Sequence, residues 1–306
     1  MRAVRLHGSG GAHDLAFEEV AIPQLGSGEV LVHVHAAALT RDELEWPVDR
    51  LPAIPSYEVS GIVVDVAPGV TDAVAGDTVY ALTPFDRDGA AAEYVAVPAE
   101  ILGRKPKALS DVESAAIPMT GLSAWQGLFD HGELQAGERV LILGAAGGVG
   151  QLATQLAHER GAYVIGTASG DGIQRARELG ADEAIAASGG FEKALAPVDL
   201  VFDTVGGDVR SRSAAVLREG GRLVSIAEEP PELLGLDIST TYFVVEPSRE
   251  QLDQLTRMAD VGTLRVDVDS VFSLDAARAA FERVQARGKR GKVVLEIEGD
   301  ASSRRS

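Results

Sequence analysis

Between Glu29 and Val97 short β-like runs, Glu29 to His35, Gly61 to Val66, Thr78 to Leu82 and Ala92 to Val97, alternate with Gly, Pro and Asp turns. Such spacing predicts a small β-barrel or sandwich rather than helices. From Ser110 the texture changes. Ser110 and Glu113 have the spacing of a capping box, and Gly121 to Phe129 reads as a helix. Strand and helix patterns then alternate to about Gly262, through Tyr163 to Thr167, Leu200 to Asp203, a helix near Ser211 to Leu217, Arg222 to Ile226 and Tyr242 to Val245. That alternation predicts a parallel sheet with helices on both faces. Near the end, Ala277, Ala280, Phe281 and Val284 recur at helical spacing, Gly288 closes the run, and Lys292 to Glu298 reads as a strand. The pattern alone leaves open whether this last strand extends the parallel sheet or returns to the first domain.

One stretch carries chemistry. Arg139 to Gly150, RVLILGAAGGVG, is a buried-strand pattern running into a glycine turn, followed by Leu152, Ala153, Leu156 and Ala157 at helical spacing. Glycines 147 and 148 let backbone approach a diphosphate closely, Gly150 lets the helix lie against the strand, and the helix start presents its amides to the anion. Ala146, Gly147, Gly148, Val149 and Gly150 are the resulting candidates for a dinucleotide site. The first glycine of the G-x-G-x-x-G pattern is Ala145 here, so order of strand, turn and helix carries more weight than the glycines.

Composition narrows the function classes. With 306 residues and 45% hydrophobic content, the chain can build two domains, each with its own core. A formal charge of −18 repels phosphate backbones and anionic lipid, so neither nucleic acid nor a membrane surface is the expected partner. The absence of cysteine removes disulfides, thiolate metal ligands and a cysteine nucleophile together. No apolar run approaches the ~18 residues of a membrane span, and the first residues lack a signal-peptide core, so a cytoplasmic location is expected.

The segments LPAIPSYEVSGIV, GLSAWQGLF, ERVLILGAAGGVG, LGADEAI, VDLVFDTVGG, GGRLVSI and RGKVVLEI, in this order, resemble the medium-chain dehydrogenase/reductase superfamily, in its zinc-free quinone oxidoreductase-like branch. The resemblance implies an α/β chain with a GroES-like β-barrel catalytic domain, residues 1–115 and 270–306, and a Rossmann domain with a doubly wound parallel sheet, residues 116–269. It thereby returns the last strand to the first domain. In zinc-dependent members two Cys and a His hold the catalytic metal; the matching positions here are Leu39, Tyr57 and Met119, and no metal is expected. His33 and His35 share one face of a strand and read as barrel surface.

Without a metal to polarise a carbonyl, the expected acceptor is a quinone or an α,β-unsaturated carbonyl, whose developing charge delocalises and needs only protein donors. The resemblance puts Tyr57, Thr40, Trp46 and Ser123 beside the substrate: Tyr57 as phenolic donor, Trp46 as a wall for a flat ring, Ser123 near the nicotinamide. Glu58 reads as structural or orienting. No Tyr-x-x-x-Lys pair supports a short-chain reductase mechanism.

NADP(H) is the expected cofactor. An NAD site commonly carries an acid about 20 residues beyond the glycine turn; here Gly166, Thr167, Ala168 and Ser169 stand there, although Asp171 follows closely. Thr167 and Ser169 are candidate donors to a 2′-phosphate, and Arg175 or Arg177 a candidate charge partner or an ordinary solvated cation. By resemblance, Asp203, Val205, Gly206, Ser225, Ile226, Phe243 and Val244 line the nicotinamide and ribose, with Lys292 a further candidate near the interdomain cleft. The expected reaction is hydride transfer to a small quinone or enone. Its alternatives are a tailoring enoyl reductase with a dedicated bulky substrate and a sensor that binds NADPH without turnover. A homodimer paired along the Tyr242–Val245 strand is expected.

Overall fold

The computed structural model describes residues 1–46, 49–188, 190–193, 195–229, 237–286 and 288–297. The chain divides into two compact units, one of residues 1–119, 246–262 and 266–306, the other of residues 120–245 and 263–265. Strands are numbered along the whole chain.

The first unit contains β1 (Arg2–Leu6), β2 (Leu15–Glu19), β3 (Glu29–Leu39), β4 (Glu58–Val66), β5 (Thr78–Leu82), β6 (Tyr94–Pro98) and β7 (Gly103–Arg104). The second holds β8 (Arg139–Leu143), β9 (Tyr163–Ala168), β10 (Glu183–Ala186), β11 (Val198–Asp203), β12 (Leu217–Ser225) and β13 (Ile238–Tyr242). The chain closes in the first unit with β14 (Val268–Ser273) and β15 (Lys292–Glu296). The helices are α1 (Asp111–Ala115), α2 (Pro118–Trp125), α3 (Gly148–Glu159), α4 (Gly172–Glu178), α5 (Gly207–Ser213), α6 (Arg249–Asp260) and α7 (Ala277–Gln285).

In the first unit a largely antiparallel sheet runs β14-β15-β3-β4-β5-β7, with β6 paired to β3. The β-like run read from the sequence ends at His35, yet β3 continues to Leu39, where Ala36–Leu39 is buried on both faces. The last strand returns to this sheet: β15 pairs antiparallel with β3, Val293 opposite Leu39. The helix spacing at the C-terminus is realised in α7, whose Ala277, Ala280, Phe281 and Val284 are all buried. Residues 246–262, grouped with the Rossmann domain on sequence grounds, pack instead with the first unit. There Tyr80 Oη donates to the Leu252 carbonyl at 2.6 Å. The expected capping box is present: Ser110 Oγ accepts from the Glu113 amide, and Glu113 Oε2 accepts from the Ser110 amide.

The second unit is a six-stranded parallel sheet ordered β10-β9-β8-β11-β12-β13 around a core that includes Leu141, Leu143, Ile165, Val201 and Leu223. Three expectations shift in register. The helix expected near Ser211–Leu217 is α5 with a 3-10 turn to Val216, starting directly after Gly206, whose positive φ of 76° reverses the chain there. The strand expected at Tyr242–Val245 is β13, which ends at Tyr242; its polar run ISTTY shows no apolar alternation, and its pairing with β12, Gly221 opposite Ile238 through Ser225 opposite Tyr242, sets its limits. The helix expected over Gly121–Phe129 begins at Pro118 and passes at Gln126 into a π-helical turn ending at Asp130.

Candidate active site

Strand register brings polar groups together in the first unit. Leu39 lies opposite Val293 and Ala38 opposite Glu58, so the chain ends next to these pairs place Thr40, Glu58 and Lys292 side by side. Lys292 Nζ donates to Thr40 Oγ1 at 2.9 Å and forms an ion pair with Glu58 Oε2. Glu58 Oε1 accepts from the Met119 amide at 3.0 Å. Beside them a 3-10 turn, Glu43–Glu45, carries a second carboxyl: Glu43 Oε2 accepts from the Thr40 amide at 3.1 Å, while Oε1 has no hydrogen-bond partner of normal geometry.

The burial of this cluster decides its electrostatics. Glu43 and Glu58 are 0% exposed and Lys292 is 6% exposed, whereas Thr40 is half-buried. Desolvation is the dominant influence on both carboxyls. It pushes Glu43 up to about 8 against the opposing pull of Lys292, and it raises Glu58 in spite of the same lysine. A single buried ammonium thus acts on two buried carboxyls.

Tyr57 sits on the adjoining turn. Ser56 before it adopts φ 69°, a strained conformation for a residue with a side chain, and its Oγ donates to the Ala38 carbonyl at 3.0 Å. Arg50 Nη2 donates to Tyr57 Oη at 2.8 Å and to the Phe85 carbonyl at 2.7 Å. A guanidinium cannot accept, so the phenol keeps its own proton for another acceptor. Burial raises the Tyr57 pKa, with Arg50 opposing, and the phenol stays protonated at neutral pH. Trp46 and Phe85 cover the ring, with centroids 5.6 Å and 5.3 Å from that of Tyr57. The residues Thr40, Trp46, Tyr57 and Lys292, singled out from the sequence, therefore gather in one region of the first unit. Arg50 and Glu43 join them unforeseen; a lone arginine in a loop and a carboxyl in an acidic turn carry no sequence signal of burial.

In the second unit the glycine turn has the geometry of an anion cradle. Gly144 has φ 77°, and a Cβ on Gly150 would stand 2.0 Å from the Gly144 carbonyl oxygen. Helix α3 starts at Gly148 with no side-chain cap at Gly147, which leaves the amides of its first turn for a bound anion. Ala146, Gly148 and Val149 are half-buried, and Gly147 is exposed. The fit to a dinucleotide is good on these grounds.

The strand ends around the turn divide into framework and accessible groups. Asp203 and Ser225 are buried and hold one another: Ser225 Oγ donates to Asp203 Oδ2 at 2.8 Å, and Asp203 Oδ1 accepts from the Val205 and Gly206 amides at 3.0 and 2.8 Å. They shape the loop, while Val205 and Val244 present exposed apolar side chains. Ile226 is half-buried, its amide bonded to the Asp203 carbonyl, and Phe243 stacks on His131 with centroids 4.4 Å apart. Thr167 is employed differently from the expectation: it is buried, and its Oγ1 accepts from the Gly144 amide at 3.1 Å, pinning the glycine turn. Ser169 is exposed; Arg175 pairs with Glu178, and Arg177 donates to the Ala184 carbonyl. Ser123 is buried on α2. Lys292, expected toward the cofactor, is committed to Glu58 and Thr40.

A metal does not fit these residues. Leu39, Tyr57 and Met119 offer no zinc donor set, the chain has no cysteine, and among the described residues no group of three or more His, Asp or Glu is arranged to hold an ion.

Sheet order and glycine turn define a GroES-like unit and a Rossmann-like unit. Two family descriptions match: "Alcohol dehydrogenase GroES-like domain" over residues 26–107 and "Zinc-binding dehydrogenase" over residues 179–295. The chain belongs to the medium-chain dehydrogenase/reductase superfamily. It is 32% identical over 299 residues to the "Probable zinc-binding oxidoreductase, mitochondrial" of Arthroderma benhamiae, covering 90% of each chain. It is 33% identical to the "NADPH-dependent alkenal/one oxidoreductase, chloroplastic" of Arabidopsis thaliana, covering 94% of this chain and 77% of that one. Among solved structures, the quinone oxidoreductase from Coxiella burnetii aligns with a TM-score of 0.89 at 30% identity, over 97% of this chain and 99% of the other. Among the described residues no helix is long and apolar enough to cross a membrane.

Proposed function

We propose that the protein is a zinc-independent, NADPH-dependent reductase of quinones or α,β-unsaturated carbonyls. The observation that carries this reading is the Arg50-held phenol of Tyr57 at the position where zinc members place a metal ligand: a charged donor fixes its oxygen and leaves its proton available. When bound, the dihydronicotinamide supplies a hydride from its C4. Tyr57 and Thr40 donate to the acceptor's oxygen as negative charge develops there, and Trp46 offers a flat wall to a ring. Ser123 on α2 is a further donor toward the nicotinamide. One such donor is worth about 3 to 4 kcal/mol, enough for acceptors whose charge delocalises, and less than a metal gives an isolated carbonyl.

The glycine turn Ala146–Gly150 takes the diphosphate. Val205, Gly206, Ile226, Phe243 and Val244 take the nicotinamide ribose end, on the loop that Asp203 and Ser225 shape. NADPH is favoured over NADH because Gly166–Ser169 holds no acid to repel a 2′-phosphate and exposed Ser169 offers it a donor, with Arg175 and Arg177 adding positive charge a few residues on, along α4. The names of the Arabidopsis and Coxiella proteins support the alkenal and quinone classes. A cytoplasmic protein that pairs as a homodimer along β13, an edge strand, completes the proposal; size-exclusion with light scattering checks the dimer.

The test is NADPH oxidation in the presence of a chelator, against benzoquinones, naphthoquinones, enones and bulky polycyclic enones. Turnover of small quinones or enones is the expected result. Activity confined to the bulky enones identifies a tailoring enoyl reductase. Binding of NADPH without turnover of any acceptor identifies a sensor and overturns the reading.

A further inference from the structure

Reduction of a quinone or enone consumes a proton as well as a hydride, and the chain holds three buried ionisable groups that the donor role of Tyr57 leaves unused. We propose that Glu43, Glu58 and Lys292 form a proton store that opens through the Thr40 hydroxyl and supplies the proton taken up by the acceptor. The proposal rests on the reductase reading and deepens it.

The charge count comes from geometry. Lys292 is paired with Glu58, so its ammonium compensates one carboxylate, while Glu43, equally buried and bonded to the Thr40 amide of the same cluster, has no ion-pair partner of its own among the described residues. Two ionised carboxylates around one ammonium leave an uncompensated charge in a dry site, and the cheaper state keeps one proton on the cluster. The upward displacement of Glu43 agrees with this count.

The exit also comes from geometry. An ammonium can only donate, so Thr40 Oγ1 accepts from Lys292 and its own hydrogen must go to another acceptor. In the resting protein Thr40 acts on the Glu58 carboxyl; during turnover the acceptor's oxygen takes that place. Thr40 is the half-buried member of an otherwise buried cluster, which makes it the outlet. The step balances: hydride addition to the electron-poor carbon sends an electron pair onto the carbonyl oxygen. That oxygen then bonds the Thr40 hydroxyl proton, and Thr40 regains a proton from Lys292 Nζ. The cluster passes from net zero to net −1 and recovers one proton from water. The deficit belongs to the coupled groups together. Other charges facing them are Lys289, which lies within electrostatic reach of Lys292 and Arg41, and Arg50 beyond Tyr57, whose phenol also feels Glu43.

Infrared difference spectra across a pH titration of the wild type test the store directly, and steady-state kinetics test its use. A protonated-carboxyl band that disappears near pH 8, and is missing in Glu43→Gln, is expected. In turnover, Glu43→Gln and Thr40→Val lower kcat about 10²-fold with KM unchanged and abolish the wild-type alkaline limb, while Thr40→Ser restores both. Absence of a titrating carboxyl in the wild type overturns the proposal whatever the activity. An active wild type whose alkaline limb and kcat survive in Glu43→Gln overturns it alone. A wild type inactive on every acceptor overturns the reductase reading and this proposal with it.

Discussion

Replacing Glu43 by Gln should change how stability depends on pH. The folded protein holds the Glu43 proton up to about pH 8, whereas the unfolded chain releases it near 4.5. Between these values the folded state binds more protons than the unfolded state, so unfolding free energy falls as pH rises and levels off above about 8. At about 1.4 kcal/mol per pH unit, the interval from 4.5 to about 8 bounds the effect at roughly 5 kcal/mol. Relaxation around a charged Glu43 and coupling to Glu58 reduce it, and a difference of about 2 to 4 kcal/mol between pH 5 and pH 9 is the working expectation. Glutamine preserves shape and the contact with the Thr40 amide shifts little, so Glu43→Gln should show a flatter profile and become more stable than wild type at pH 9. Urea denaturation of both proteins over that range, followed by circular dichroism, measures the difference. Parallel profiles for the two proteins would refute the claim that Glu43 is buried and proton-bound.

Three further outcomes follow from the same geometry. Lys292→Met leaves the Glu58 carboxylate buried without its cation and should cost about 3 to 5 kcal/mol in urea denaturation, with a large part recovered in the Lys292→Met/Glu58→Gln double variant. Gly150→Ala forces a Cβ to within 2.0 Å of the Gly144 carbonyl; calorimetric titration should show NADPH affinity reduced by about tenfold or more, roughly 1.4 kcal/mol, with the first unit's fold retained. Tyr57→Phe should lower kcat by about 10²-fold or more with NADPH affinity unchanged, and Arg50→Met should reproduce part of that loss, as single-turnover kinetics would show.

The fold was legible where one physical signal dominated. The short apolar run of β5 between its turns and the glycine turn before α3 follow from local pattern, as does the face of α7. Legibility failed where burial removed the pattern: Ala36–Leu39 is apolar on both faces and reads as no strand, and the polar β13 is defined only by its partner β12. The return of β15 to β3 is a long-range pairing that periodicity could not express, and family resemblance supplied it. For the site, residue types at the zinc-ligand positions were readable, and so was the aromatic and hydroxyl set. The burial of Glu43 and the grip of Arg50 on Tyr57 were not, because a charged residue buried by tertiary packing looks in sequence like any solvated one. Thr167 illustrates the same limit from the other side: its hydroxyl could be assigned a ligand from sequence, and the fold spends it on Gly144.

The most direct measurement is isotope transfer from NADPH deuterated at C4 to an enone, by protein stripped of metal and checked by elemental analysis. The account predicts deuterium on the β-carbon of the reduced product, at a rate that removal of metal leaves unchanged. A rate that vanishes with the metal and returns with added zinc, or a product free of the label, would contradict it.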